Sequence, residues 1–369
     1  MMSRKLPEVC EIQYGFPFDS SLFSAEGDLP LIRIRDVVRG YTETYTSEKC
    51  DVAYLVHEGD ILVGMDGVFN VAKWKGEPAY LNQRVCRIIP NETIDADFLF
   101  YFIPTALKKI ENETAFVTVK HLKAKQLNAV VVPDVPIEEQ KKIAAQLNVI
   151  TDLIFLRQRQ AEKLDELVKA RFVEMFGECK YGGDPLSNVC KLITDGTHQP
   201  PQFVDAGIPF LLVSNLVHNE ITYDTEKFIS KESYQELIKR TPVEIGDILL
   251  SIVGSYGHAG VVRTDKPFCF QRHIAYIKPD FSKLNSEFLH QALLSDAVKY
   301  QMEKRVKGIA QKTLNLSELK KIVVPIPPLA LQTEFSHFVH EVDREKERIQ
   351  RSAALLEMLK RSLMQQYFG

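Results

Sequence analysis

Few residue groups in this sequence could carry covalent chemistry, and each fails on spacing. Pro133-Asp134 followed by Glu139-Gln140-Lys141 has the residue types with which a nuclease holds a divalent ion, but the two acidic residues are only five apart. Glu139 also opens a helical run, whereas such a core needs its Glu and Lys side by side on a strand. His337 and His340 could share a helix face, yet no third metal ligand can be named beside them. Gly254, Gly257 and Gly260 are spaced wrongly for a dinucleotide fingerprint, and no βαβ unit surrounds them. The sequence has neither the Asn/Asp-Pro-Pro-Tyr/Phe run of an adenine methyltransferase nor the Gly-rich phosphate loop that ends in Gly-Lys-Ser/Thr. The cysteines (Cys10, Cys50, Cys86, Cys179, Cys190, Cys269) form no Cys-x-x-Cys pair and read as reduced thiols packed in cores. The expectation is a chain with no catalytic residue, no metal site and no cofactor of its own.

The elements that would position a binding surface are easier to read. With 369 residues, 45% of them hydrophobic and 26% charged, the chain can build two or three domains, and wholesale disorder is excluded. A net charge of −3 argues against a uniformly basic surface but leaves room for local patches. No apolar run is long enough to span a membrane. The opening Met1-Met2-Ser3-Arg4-Lys5-Leu6-Pro7-Glu8 has no apolar signal region, so a cytoplasmic protein is expected.

The chain is written twice. Leu122/Leu314, Leu127/Leu319, Pro133/Pro325, Pro136/Pro328, Gln140/Gln332, Leu164/Leu356, Phe176/Phe368 and Gly177/Gly369 all differ by 192. Upstream the offsets slip: Val9-Cys10 matches Val189-Cys190 at 180, and Leu29-Pro30-Leu31 matches Ile208-Pro209-Phe210 at 179. Gly59-Asp60-Ile61-Leu62 matches Gly246-Asp247-Ile248-Leu249 at 187, Gln83-Arg84 matches Gln271-Arg272 at 188, and Phe98-Leu99 matches Phe288-Leu289 at 190. The slips fall between apolar runs, where loops accept insertions. Each front part alternates short apolar runs with Gly, Pro, Asp and Asn. Ile248–Val253 is strand-like and Glu287–Val298 helix-like, so an α+β domain of about 130 residues, built twice, is predicted.

The tails differ. Ile137–Phe176 and Leu329–Phe368 contain no Pro or Gly. Each would make a helix about 60 Å long. Apolar residues recur at heptad positions: Leu147, Ile154, Ala161 and Val168 with Ile150 and Leu164, and Val339 and Ala353 with Val342, Ile349, Leu356 and Leu363. Arg157, Arg171, Lys346 and Lys360 interrupt these seams, and their aliphatic stems can still pack there. Two separate amphipathic helices would be the plainer reading. The connectivity favours an antiparallel coiled coil related by a pseudo-two-fold axis, with the end of the second helix returning to the first domain. The predicted divisions are 1–136 (first domain), 137–177 (first long helix), 178–328 (linker and second domain) and 329–369 (second long helix).

In this arrangement the sequence resembles the specificity subunits of type I restriction–modification systems. The resemblance covers essentially the whole chain. It rests on the duplicated order and on local motifs: Gly15-Phe16-Pro17-Phe18-Asp19-Ser20-Ser21-Leu22-Phe23, Ile193-Thr194-Asp195-Gly196-Thr197-His198-Gln199-Pro200-Pro201, the two Gly-Asp-Ile-Leu runs, and the Val-Val-Pro before each long helix. It implies a non-catalytic reader of double-stranded DNA with two target recognition domains, each reading one half of a split, asymmetric target. The helices would fix the gap and dock two methylation subunits. Those partners would use S-adenosylmethionine, and restriction subunits would add ATP- and Mg-dependent translocation and cleavage. A 60 Å rod corresponds to roughly 18 base pairs at most. A coiled-coil scaffold whose end domains bind protein is the alternative.

Local charge suits the DNA reading. Segment 107–129 carries Lys108, Lys109, Lys120, Lys123 and Lys125 against Glu111 and Glu113, and segment 299–321 carries seven basic residues against Glu303 and Glu318. Lys120, Lys123, Lys125, Lys307, Gln311 and Lys312 are therefore candidate DNA contacts, with the Gly308–Lys312 loop approaching the duplex. A solvated basic face is the bland alternative. Ser255, Tyr256 and His258 in the Gly254–Gly260 loop, and His198, are further candidates. Gln83-Arg84 and Gln271-Arg272 could read bases. Their recurrence argues instead for a shared structural or phosphate role, because readers of different half-sites should differ.

Overall fold

A computed structural model of the protein describes residues 4–113, 121–177, 181–308 and 312–369. The chain forms two compact units, Met1–Gln158 with Arg351–Gly369, and Arg159–Gln350.

The first unit is built on an antiparallel sheet of β1 (Cys10–Tyr14), β2 (Ile61–Gly64), β3 (Val71–Lys73) and β4 (Val85–Pro90), in the order β1-β4-β2-β3. Side chains alternate across a strand. Ile61 and Val63 therefore enter one core with Cys86, Ile88 and the helix α1 (Ala96–Glu113), while Leu62 enters a second with Trp74 and Leu81. A strand buried on both faces reads as an unbroken apolar run, which is how Ile61-Leu62-Val63 looks. A short parallel pairing follows: Ile32, opposite Leu81, lies in the second core, and Leu31, opposite Tyr80, lies in a third with Phe18.

The long helix α2 (Ile137–Phe176) follows. The second unit repeats the plan with β5 (Cys190–Asp195), β6 (Ile248–Ser251), β7 (Ala259–Val261) and β8 (Ile274–Pro279), in the order β5-β8-β6-β7. It too has a parallel pairing, Phe210 opposite Cys269. The helix expected over Glu287–Val298 is two helices, α3 (Ser286–Leu294) and α4 (Asp296–Glu303). Ser295 breaks it, because its hydroxyl bonds the Ala292 carbonyl and accepts from the Val298 N–H. The first unit keeps a continuous α1 there, with Pro104 inside it. The chain ends in α5 (Leu329–Phe368).

Repeated residues turn out to be framework. Gly59 and Gly246 hold φ values of +92° and +94°, open to glycine at no steric cost. The following Asp60 and Asp247 accept the N–H three residues back, from His57 at 2.9 Å and Glu244 at 2.8 Å. Gln140 and Gln332 are wholly buried at the start of each long helix. Their side-chain oxygens accept the Asp95 and Asn285 N–H, both at 2.8 Å, and their amides donate to the Val135 and Pro327 carbonyls at 2.7 and 2.9 Å. Each glutamine thereby fastens a long helix to the head of α1 or of α3. Losing it would strand buried backbone groups at about 1–3 kcal/mol apiece.

Each unit also contains an antiparallel helix pair. In the first, Tyr367 of α5 donates to Gln146 of α2 at 2.9 Å, and Phe368 stacks edge-on to Phe98 at 5.2 Å. In the second, Phe176 of α2 meets Phe288 at 4.8 Å, and Phe172 meets Phe335 of α5 at 5.5 Å. Leu147, Ile150, Ile154, Val168, Val339, Val342 and Ile349 are buried, as the heptads predict. Lys346, a break in the seam, pairs with Asp165 at 2.8 Å. Cys10, Cys86 and Cys269 are buried, Cys50 and Cys190 partly so, and all five are unbridged, whereas Cys179 lies outside the described residues. Among the described residues, no helix is long and apolar enough to cross a membrane.

Candidate nucleic-acid interface

Four backbone segments meet at one end of each central sheet. In the second unit they are the Gly196–His198 turn after β5, the Val253–Tyr256 turn after β6, the Gln271–His273 turn before β8, and the stretches at Lys307 and at Lys312-Thr313. Main-chain hydrogen bonds tie them together. Arg272 N–H donates to Thr197 O at 3.0 Å, Ile252 N–H to His273 O at 2.9 Å, and Gly254 N–H to Lys312 O at 2.9 Å. Lys307 and Thr313 exchange two bonds, of 3.0 and 2.8 Å, which closes the neck of the basic loop. The first unit shows the same joints. Gln83 N–H donates to Phe16 O at 3.0 Å, Met65 N–H to Arg84 O at 3.0 Å, and Asp66 bridges His121.

The predicted residues divide by position. Lys307 and Lys312 are exposed on the loop closed by Thr313, and the Lys312 ammonium sits 6.0 Å over the Tyr256 ring. Tyr256 packs its ring against the core, and Ser255 is exposed beside it at the turn tip. Lys123 and Lys125 are exposed at the start of the short helix Ala124–Asn128. Lys120 and Gln311 lie outside the described residues. His258 turns its ring to Asn219, with Nδ1 at 3.3 Å from Oδ1. Burial, then the charges of Lys299 and His218, hold its pKa below the usual histidine value.

His198 is not an isolated loop histidine. Its Nε2 lies 2.9 Å from Asp195 Oδ2, and Asp195 also pairs with Arg240, whose Nη2 is 3.4 Å from the same ring nitrogen. Gly196, Thr197, His198, Leu237, Arg240 and Phe270 help to line a cavity of about 230 Å³. Nothing in the sequence marked Arg240, which reaches Asp195 from 45 residues away. A second such grouping occurs in the first unit, where Asp66 faces His121 Nδ1 at 2.6 Å and Arg84 Nε at 3.4 Å.

The spatial equivalence of the two turns differs from the sequence match at 188. Three pairs of hydrogen bonds set it: Phe16 N–H to Leu81 O with Thr197 N–H to Phe270 O, Gly15 N–H to Val85 O with Gly196 N–H to Ile274 O, and Val85 N–H to Asn82 O with Ile274 N–H to Gln271 O. Each places the offset at 189, so Gln83 corresponds to Arg272 and Arg84 to His273. The β-strands agree, since Cys86 faces Tyr14 where Ala275 faces Asp195. One extra residue in β5, taken up as an irregularity between Cys190 and Leu192, changes the local offset there. The Gln-Arg identity between the copies is a coincidence one residue out of register.

Two helix-bearing sheets of one plan, each presenting turns and lysines at one end, define a protein with a duplicated binding module. The family model for the type I restriction modification DNA specificity domain matches residues 1–166 and 189–357, and the chain belongs to this family. It carries two specificity domains and is a recognition component, not a catalytic one. The chain is 31% identical to the type I restriction enzyme EcoBI specificity subunit of Escherichia coli, over 98% of this chain and 84% of that protein. It is 23% identical to the MjaVIII specificity subunit of Methanocaldococcus jannaschii, over 81% of this chain and 77% of that one. Two solved structures share the fold. One is the type I restriction–modification S subunit of M. genitalium (TM-score 0.55, 16% identity, 100% of this chain and 96% of that chain). The other is a chain from a type I system studied for complex assembly and conformational transition (TM-score 0.58, 17% identity, 100% and 97%).

Proposed function

We propose that this chain selects the DNA target of a type I restriction–modification assembly, with each unit reading one half of a two-part, asymmetric site. The observation that carries this reading is the duplication itself: one scaffold occurs twice, with different side chains on equivalent turns. Identical modules would favour a symmetric target, and divergent ones an asymmetric target. The lysines beside those turns (Lys123, Lys125, Lys307, Lys312, with Lys120 and Gln311 next to them in sequence) serve as phosphate contacts that fix register, while Ser255, Tyr256, His258 and His198 lie nearer the bases.

The two 40-residue helices set the spacing between half-sites and present a surface to two methylation subunits. Those subunits supply S-adenosylmethionine, and restriction subunits add the ATP- and Mg-dependent steps. The divisions 1–136, 137–177, 178–328 and 329–369 serve as recognition domain, spacer, linker with recognition domain, and spacer. The assembly acts in the cytoplasm, where its DNA lies.

Methylation-sensitive sequencing of a strain expressing the chain with its partners tests this. A two-part motif carrying modified adenine, lost when the chain is deleted, is the expected result. The net charge of −3 favours a second reading, a protein-binding scaffold. Mobility shift of the partner-bound complex on random DNA separates the two: steep weakening with salt marks a DNA binder, and no binding even at low salt marks the scaffold.

A further inference from the structure

The spatial register of the turn before β4 and β8 changes what its residues signify. If Gln83-Arg84 were equivalent to Gln271-Arg272, identity would speak for a shared role. In space the two positions carry Gln83-Arg84 in one unit and Arg272-His273 in the other, on a backbone held by the same hydrogen bonds. From these observations we infer that this two-residue turn reads bases, and that its side chains make the two half-sites different. The inference rests on the DNA-specificity reading above.

Three further features support it. First, Gln83, Arg84 and Arg272 are exposed, and their side-chain terminal groups have no hydrogen-bond partner among the described residues apart from the contact of Arg84 with Asp66. Second, the turn is fixed at both ends to its neighbours, Phe16 and Met65 in one unit, Thr197 and Ile252 in the other. A reader must be held rigidly, since a shift of about 1 Å spoils a bidentate contact. Third, the flanking residue changes with it. Asp66 engages Arg84 through Nε and leaves the two terminal amino groups as a free donor fork, the geometry that suits guanine O6 and N7. In the second unit the same site is Val253, which holds no arginine. The arginine has moved one position earlier, and His273 follows it half-buried, with its pKa lowered by burial and by Arg272. A neutral imidazole there can donate to a base or accept from one.

Exchange of the turns tests the inference. Gln83→Arg with Arg84→His, and separately Arg272→Gln with His273→Arg, are expressed with the partner subunits, and the methylated motif is read from the genome. Each pair should change base preference at one or two positions of a single half-site, and the two pairs should affect opposite halves. A second measurement uses Arg84→Lys, which keeps the charge and loses the fork. Discrimination at one base pair should fall roughly tenfold while the salt slope is unchanged. An unaltered motif, or equal weakening on all sequences, would overturn the assignment and leave these residues as phosphate contacts. If even the parent chain yields no two-part motif, the DNA-specificity reading itself fails, which is a different result from an unaltered motif. If one exchanged chain does not fold, the other exchange and Arg84→Lys still decide.

Discussion

Asp66 and Val253 occupy one site in two copies of a scaffold, and that exchange decides what an arginine nearby can do. A carboxylate orients a guanidinium, whereas an isopropyl group only packs beside it. Residue chemistry of this kind is invisible in the sequence, because Asp66 and His121 are 55 residues apart and meet only through folding. The lysines were legible, since clustered charge needs no contact partner to be noticed. Lys307→Ala with Lys312→Ala should weaken DNA binding evenly across sequences and flatten the salt slope by about 2. Titration at several salt concentrations checks this, and a changed sequence preference would count against it. His290 offers a pH test. Its Nε2 is shared between the Ala259 and Asn219 carbonyls at 2.9 and 3.1 Å, and Nδ1 is buried without a hydrogen-bond partner among the described residues. Burial lowers its pKa below 6.5. The unfolded chain therefore binds the proton more readily, so this stabilisation is complete above pH 6.5 and is lost as pH falls toward the folded pKa. Thermal melts from pH 7.5 down to about 5 should show a declining Tm, with a shallower decline in His290→Gln.

At the scale of elements, the long helices were read to their ends. Forty residues without Pro or Gly leave nothing to stop a helix, and the breakers outside it, Pro136 and Pro328 before and Gly177 and Gly369 after, are local. The α3–α4 break was missed because it depends on one serine hydroxyl capping the second helix, a choice that periodicity does not record. On the reading proposed above, the helices carry the spacing. Seven residues inserted in each, near Ala161 and near Ile349, would keep the heptad seam and lengthen each helix by about 10 Å. The methylated motif should then keep both half-sites and gain at most roughly three base pairs between them, and altered half-sites would contradict a spacer role.

For the whole molecule, the duplication makes each unit depend on both long helices. Phe368, near the last residue, packs on Phe98, and its repeat partner Phe176 packs on Phe288. Neither front domain completes its core without the end of a helix that began on the other. The same helices keep apolar residues in solvent, including Leu355, Met358 and Leu359, which are 62%, 52% and 47% exposed. Leu355→Lys with Leu359→Lys should leave the thermal melt of the chain within about 0.5 kcal/mol of the parent while reducing co-purification of the methylation subunits. Unchanged co-purification would place the docking surface elsewhere.

The duplication, the extent of the helices, the apolar strands and the clustering of basic residues can all be read from the amino-acid order. The last three are local properties, of composition or of a period shorter than a few turns, and the duplication shows when one stretch of sequence is laid on another, which needs no folded contact. Which turn residue matches which is set only by folding. Loops of unequal length before the turn let amino-acid identity and spatial equivalence drift apart by a single residue. Backbone hydrogen bonds between distant segments settle that register, and such bonds exist only in the folded chain.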